Sequence, residues 1–140
     1  MTTINAQTET TPVTMTANLI ESGEDGIVLA LAGTDYRLHL KVAVPVTSPL
    51  NRPVAGRIKA RARRVDRMRC GGRFIEPVYG RPRRVQGTIT GTDFASNRIT
   101  VRSGGGSVFE CDLTADQKAA DFEIGALVGF DVERGAKFEL

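Results

Sequence analysis

Apolar and polar residues alternate strictly along several short stretches of this chain. In the segment 36–42 every second residue is apolar, and basic residues stand between the apolar ones. The same alternation recurs at 57–62, at 109–113 and at 130–132. Because successive side chains of an extended strand point to opposite faces, each of these stretches predicts a half-buried β-strand.

A longer apolar run at 26–31 predicts a strand that is more fully buried. Only the segment 114–122 predicts a helix. There Thr114 as N-cap and Gln117 three residues later form a capping box, and Gly125 follows the end of the segment. We therefore predict an all-β chain with one short helix.

The predicted strands recur in the same order in the two halves of the chain. Each half has three strands, a connector and a two-stranded hairpin, and the connector is Pro-rich in the first half and helical in the second. The predicted strands are at 15–21, 26–32, 36–42, 57–68 and 73–79, and then at 84–92, 98–102, 108–113, 126–133 and 136–140. This strand count and helix position resemble those of the OB-fold, a small five-stranded Greek-key barrel.

The repeat predicts two tandem OB-like Greek-key barrels, a basic one over 15–80 and an acidic one over 81–140, after a flexible Thr-rich tail at 1–14. Each unit is small for an independent domain, so we expect the two to pack on each other. A single composite barrel built from both halves is the alternative. Arg63 and Arg64 interrupt the alternation of the fourth strand, which predicts a β-bulge there.

Charge is distributed unevenly along the chain. The net charge of +3 combines −3 over residues 1–50, +10 over 51–84 and −4 over 85–140. The central segment carries twelve basic residues, eleven of them arginine, against two acidic ones. Arginine binds phosphate and carboxylate through two parallel hydrogen bonds, so we expect either a polyanionic partner or an acidic surface in the same chain.

Arg57, Lys59, Arg61 and Arg63 are expected along one exposed face of a strand, because they alternate with residues that face the core. Further basic residues follow in the connector, together with aromatic side chains on which bases stack. The nucleic-acid-binding residues predicted from the sequence are Arg57, Lys59, Arg61, Arg63, Arg73, Tyr79, Arg81, Arg83 and Arg84. The sequence thus favours a non-enzymatic module that binds RNA or single-stranded DNA through phosphates, with low sequence specificity.

A second hypothesis uses the same charges without nucleic acid. Glu110, Asp112, Asp131 and Glu133 occupy positions in the second half that match basic positions in the first half. Complementary charge then pairs the two halves, within one molecule or between molecules. On this hypothesis the chain is a protein-interaction or assembly module that associates with itself or with a protein partner.

Candidates for catalysis or metal binding are few. His39 is the only histidine, and it is expected to be a surface strand residue among cations that disfavour its protonated form. Cys111 is expected to be a buried thiol, and Cys70 an incidental one beside a Gly-Gly turn. The glycine-rich loop at 103–107 lacks the lysine of a P-loop and is expected to be a flexible hairpin loop. We expect no catalytic residue, no metal site and no cofactor.

The composition, with 41% hydrophobic and 25% charged residues, is that of a soluble globular protein. No apolar run approaches the roughly 18 residues of a membrane span. The first residues also lack the basic and then apolar pattern of an export signal. We therefore expect a cytoplasmic protein that does not associate with a membrane.

Overall fold

The computed structural model describes residues 14–140, which form a continuous eleven-stranded β-sheet and two 3-10 turns, at Gly104–Gly106 and Ala119–Asp121. The strands are β1 (Met15–Ser22), β2 (Gly26–Ala30), β3 (Arg37–Lys41), β4 (Arg52–Arg67), β5 (Phe74–Glu76), β6 (Tyr79–Gly80), β7 (Arg84–Asp93), β8 (Arg98–Arg102), β9 (Val108–Asp112), β10 (Leu127–Val132) and β11 (Lys137–Glu139). The all-β prediction is confirmed. The predicted tail lies outside the described residues, apart from Thr14. Between residues 14 and 140 there is no helix with the length and apolar character to cross a membrane.

Five strands close into a barrel in the order β4, β10, β7, β8 and β9. Neighbours in this ring are antiparallel except β4 and β9, which run parallel and close it from Ile58 opposite Phe109 to Arg61 opposite Asp112. Alternation along the strands puts the apolar side chains inside. Phe109 on β9 and Phe130 on β10 are fully buried. These two strands flank β4 in the ring, so the two rings enter the core on either side of β4.

The sixteen-residue strand β4 belongs both to the barrel and to a set of outer strands, β1, β2, β3 and β11. Its first half pairs with β1 and β11, and its last residues pair with β10. β11 also pairs with β3, where Lys137 lies opposite Lys41. Because the C-terminal strand returns to strands of the first half, two tandem OB-like barrels are not confirmed. The domain boundary at 80/81 stays a prediction.

The predicted β-bulge in β4 is confirmed. Two residues of β4, Arg63 and Arg64, lie opposite the single residue Asp131 of β10. Both arginines are exposed, whereas the residues on either side of them, Ala62 and Val65, are buried. The bulge therefore presents two successive basic side chains to solvent without moving the apolar residues out of the core.

The predicted helix at 114–122 is wrong, because this segment is an irregular loop that contains only the 3-10 turn at Ala119–Asp121. Gln117 does not complete a capping box. Its side-chain amide instead accepts from the N–H of Val65 at 2.8 Å and donates to the C=O of the same residue at 2.9 Å. The side chain of Asn97 bonds the loop backbone at two further points, at 2.8 Å each. These tertiary hydrogen bonds take the place of a helical ladder.

The strands β4 and β11 approach each other closely at Gly56. A Cβ atom at this position would overlap the carbonyl oxygen of Glu139 and would lie 2.7 Å from Cζ of Phe138. Glycine is required here because the two backbones leave no room for a side chain.

Replacing Gly56 by alanine is expected to lower the free energy of unfolding by about 1 to 3 kcal/mol, because the added methyl group overpacks a contact with the backbone. Urea denaturation of the full chain measures this change. Gly23→Ala is the matched control: a Cβ at Gly23 has its nearest atom 3.9 Å away. The control should stay within about 0.5 kcal/mol of the parent protein. If the two variants were equally stable, the close approach of β4 and β11 at Gly56 would be contradicted.

Candidate functional site

Three basic side chains lie around the carboxylate of Glu110 on β9. Lys59 lies directly opposite it in the register of β4 and β9, and its Nζ pairs with Oε1. Nε of Arg57 lies 2.9 Å from Oε2, although its N–H is not aligned for a hydrogen bond, and a guanidinium nitrogen of Arg98 lies 3.7 Å from Oε1. All four side chains are partly buried. The first two residues of the predicted basic row therefore pair with a carboxylate inside the molecule.

Asp112 extends this network of ion pairs. Nε of Arg98 donates a hydrogen bond to Oδ1 of Asp112 at 2.8 Å. This bond is the main reason why the pKa of Arg98 is raised, and the negative charges of Asp112 and Glu110 add to it. Cys111 lies between the two acids in the chain but points into the core, where burial raises the pKa of its thiol and the neighbouring carboxylates raise it further. The prediction of a buried thiol is confirmed for Cys111, while Cys70 is exposed.

Exposed ion pairs hold the next basic residues loosely. Nε of Arg61 lies 3.7 Å from Oε1 of Glu133, and an Arg84 nitrogen lies 3.3 Å from Oδ1 of Asp131. The side chain of Arg61 is 67% exposed. Because exposed pairs contribute only about 0 to 1 kcal/mol to stability, both arginines can exchange their carboxylate for another anion at little cost.

Four arginines form a separate group, which we call the arginine cluster: Arg63, Arg81, Arg83 and Arg134. Within residues 14–140 no carboxylate lies within 4.0 Å of any of the four. Desolvation lowers the pKa of Arg81, and the positive charges of Arg134, Arg83 and Arg63 lower it further. Arg81 is partly buried and the other three are exposed. The positive charges of the other three arginines thus repel Arg81, and an anion beside Arg81 would relieve that repulsion.

Backbone hydrogen bonds bring three segments of the chain together at the arginine cluster. The N–H of Val132 donates to the C=O of Arg83 at 2.8 Å, and the N–H of Glu133 donates to the C=O of Arg61 at 2.9 Å. These bonds join the region of the β4 bulge, the segment that follows β6 and the end of β10. The turn after β10 contains Gly135, whose φ of 96° lies in the left-handed region that glycine adopts readily, and this turn carries the fourth arginine.

A groove of about 790 Å³ runs beside the arginine cluster and is lined by residues of the segment 76–84. Tyr79 is 64% exposed there, and Val78 is 50% exposed. The Tyr79 ring packs beside His39, with 5.0 Å between the ring centroids and an angle of 60° between the ring planes. The groove thus combines an exposed aromatic ring with two side chains of the cluster, Arg81 and Arg83.

The structure brings five of the nine predicted site residues to the groove and the arginine cluster. These are Arg63, Tyr79, Arg81, Arg83 and Arg84. Arg57 and Lys59 instead pair with Glu110, and Arg61 pairs with Glu133. The charge of Arg73 is not among those that lower the pKa of Arg81. Nε of Arg73 donates a hydrogen bond to the hydroxyl of Thr88 on β7 at 3.2 Å.

Arg134 is the member of the cluster that the sequence analysis missed. It lies in the half of the chain with a net negative charge, so counting charge by segment does not single it out. The available signal, a basic residue in a glycine turn between two strands, is common on protein surfaces. Only the three-dimensional course of β10 and β11 places this turn beside Arg81.

Two other expectations are corrected by the contacts. His39, expected at the surface, is partly buried, and its Nε2 is enclosed without a hydrogen-bond partner in the described part of the chain. The loop at 103–107, expected to be flexible, has two buried serines. The hydroxyl of Ser103 lies 2.7 Å from the carbonyl oxygen of Gln86, and that of Ser107 donates to the loop's own backbone. This loop is therefore anchored to the barrel.

Comparison of the chain with known protein families, with curated proteins and with solved structures found no match. From residue 14 to residue 140, no three His, Cys, Asp or Glu side chains come together as ligands for a metal ion. The function of the site is therefore argued from its own geometry and charge.

The Glu110→Gln variant is expected to lose about 1 to 3 kcal/mol of unfolding free energy, because it leaves three partly buried cations facing a neutral amide. Urea denaturation measures the loss, which should shrink as salt screens the remaining repulsion. Glu123→Gln is the control, since Glu123 is exposed and forms no ion pair among residues 14–140. If both variants were as stable as the parent protein, Glu110 would not hold the basic row.

Proposed function

We propose that this protein is a non-enzymatic binding module for RNA or single-stranded DNA, which it holds through phosphates with low sequence specificity. The observation that carries the proposal is the arginine cluster, in which Arg63, Arg81, Arg83 and Arg134 converge without a carboxylate partner among residues 14–140. Among residues 14–140, six basic residues have a carboxylate partner: Arg57, Lys59, Arg61, Arg64, Arg84 and Arg98. The cluster differs from the other basic residues without a carboxylate partner because the charges of Arg134, Arg83 and Arg63 all act on Arg81.

Phosphodiesters suit the charge and the chemistry of this cluster. The planar guanidinium group binds a phosphate through two parallel hydrogen bonds, and a phosphate between two arginines removes their repulsion. A nucleic-acid strand offers successive phosphates, so it can satisfy several arginines at once. Arg61 and Arg84 adjoin the cluster. Because their exposed ion pairs are weak, both can exchange a carboxylate for a phosphate and extend the row of phosphate contacts.

The groove favours a single strand over a duplex. Tyr79 is an exposed ring in a groove that Glu76 and three arginines also line, and an unpaired base can stack on it, whereas the bases of a duplex are already stacked on each other. Stacking accepts any base, which agrees with low sequence specificity. The proposed binding surface therefore consists of the arginine cluster and Tyr79. Arg57, Lys59 and Arg73 are not part of it.

A protein partner, or a second copy of the chain, is the alternative. The end of β1 and the turn that follows it are acidic, and their exposed residues Glu21, Glu24 and Asp25 form no ion pair among residues 14–140. This turn on one molecule can meet the arginine cluster of another, which gives a heterologous contact. Light scattering distinguishes this alternative, because the measured mass would rise with protein concentration and fall with added salt.

Binding of a fluorescent single-stranded oligonucleotide is expected to weaken steeply with salt. Four phosphate contacts with a single strand give a slope of roughly −3 for the logarithm of the association constant against the logarithm of salt concentration. Fluorescence anisotropy between about 50 and 200 mM salt measures this slope, a range over which the effect is large. Absence of binding at the lowest salt concentration would overturn the proposal.

The double variant Arg81→Gln/Arg83→Gln is expected to reduce the magnitude of that slope by about 1.4, because each arginine removed releases one phosphate contact. Arg52→Gln is the matched control. Arg52 is an exposed arginine at the start of β4, eleven positions before the member of the cluster on the same strand. An equal loss of binding in the double variant and the control would mean that general positive charge binds the strand and the cluster does not.

A further inference from the structure

Arg81 lines two depressions whose other charges differ in sign. One is the groove beside Tyr79. The other, which we call the acidic depression, is formed by residues 21–28, 39–41 and 133–136 together with Arg81 and Pro82. Arg81 is the one residue that the two linings share. It therefore stands at the boundary between the groove and the acidic depression.

The charges beyond Arg81 favour phosphate on one side only. The groove has two further arginines and one carboxylate, that of Glu76. Apart from His39, the acidic depression has four carboxylates and two cations, namely Glu21, Glu24, Asp25, Glu133, Lys41 and Arg134. Glu133 is paired with Arg61, whereas the other three carboxylates have no basic side chain within 4.0 Å among residues 14–140. A chain of phosphates is therefore attracted along the groove and repelled beyond Arg81.

The sheet brings the other arginines of the cluster to this boundary. The β4 bulge that carries Arg63 lies opposite the end of β10. At the same end, the N–H of Val132 donates to the C=O of Arg83 at 2.8 Å, and Arg134 follows two residues later in the turn. Three segments of the chain therefore supply arginines to the place where Arg81 stands, and paired backbones hold these segments together.

We infer that the arginine cluster holds a terminal phosphate of the bound strand, so that the strand lies in the groove and ends at the acidic depression. This inference rests on the proposed function. An internal phosphodiester carries one negative charge, whereas a phosphate monoester carries about −1.5 to −2 at pH 7 and has three acceptor oxygens. Within residues 14–140 none of the four guanidinium groups has a carboxylate within 4.0 Å. Four such cations match the larger charge and the additional oxygen of the monoester.

The arginines on the two sides of Arg81 have different roles in this arrangement. Arg83 and Arg84 line the groove and bind the phosphodiesters next to the end of the strand. Arg134 lines the acidic depression instead, so it binds the outer oxygens of the terminal phosphate. The carboxylates of the depression bind nothing, and their charge prevents the strand from continuing past Arg81. An internal stretch of the strand would have to pass over these carboxylates in order to occupy the whole cluster.

The experiment compares oligothymidine 12-mers that carry a 5′-phosphate, a 3′-phosphate or neither with an unphosphorylated 13-mer. The 13-mer has as many phosphate groups as either phosphorylated 12-mer, so it separates the effect of a terminal monoester from that of one more phosphate. Each oligonucleotide displaces a strand labelled at an internal base from the full chain, and fluorescence anisotropy gives the four dissociation constants at one fixed salt concentration. At least one phosphorylated 12-mer should bind about tenfold more tightly than the 13-mer, which corresponds to about 1.4 kcal/mol.

The phosphorylated end that is preferred gives the direction of the strand in the groove. If neither phosphorylated 12-mer bound more tightly than the 13-mer, this inference would be overturned and the proposed function would stand. If none of the four oligonucleotides bound, the proposed function itself would fail.

The Arg134→Gln variant tests which side of Arg81 holds the end of the strand. It should bind the preferred 12-mer and the 13-mer about equally, because the guanidinium group beside the outer oxygens is removed. Arg84→Gln is the matched control. Arg84 lines the groove and not the acidic depression, so this variant should bind every oligonucleotide more weakly and keep the tenfold difference. A tenfold difference that persisted in Arg134→Gln would contradict the inferred position of the terminal phosphate. Urea denaturation verifies that both variants are folded.

Discussion

The strand β4 is the constraint on which the rest of the structure depends. Over sixteen residues it pairs in succession with β1, β11, β9 and β10, so it joins the closed barrel to the outer strands. Its apolar residues, such as Ile58 and Ala62, are buried in the core. The alternate positions carry the basic residues. The interaction that builds the core therefore also determines where the positive charge emerges.

The bulge at Arg63 and Arg64 divides the basic face of β4 into two parts with different electrostatics. Before the bulge, β9 runs parallel to β4 and places an acidic residue opposite Lys59 and another opposite Arg61. β9 ends there, and no carboxylate of the described chain reaches Arg63. The part before the bulge pairs with the carboxylates of β9 and contributes to folding, whereas Arg63 at the bulge joins the arginine cluster, which carries the proposed function.

Local patterns in the sequence predict the local features well. Strict alternation places a strand at 36–42, where β3 is found, and the interrupted alternation in β4 correctly predicts the bulge. The helix at 114–122 fails for a tertiary reason, because the side chain that would cap it bonds instead to Val65, 52 residues away in the chain. The tandem repeat does not account for β11, whose partners β3 and β4 lie in the first half.

By itself, the sequence determined the all-β class, the inward and outward faces of the strands, and the concentration of arginine between residues 51 and 84. These properties follow from neighbouring side chains, whose spacing along an extended backbone is constant. Only the tertiary structure decided which arginines are neutralised and which converge. Electrostatic energy depends on distance in space. The fold brings Lys59 to Glu110 across 51 positions, and it brings Arg134 to Arg81 out of a segment that is acidic as a whole.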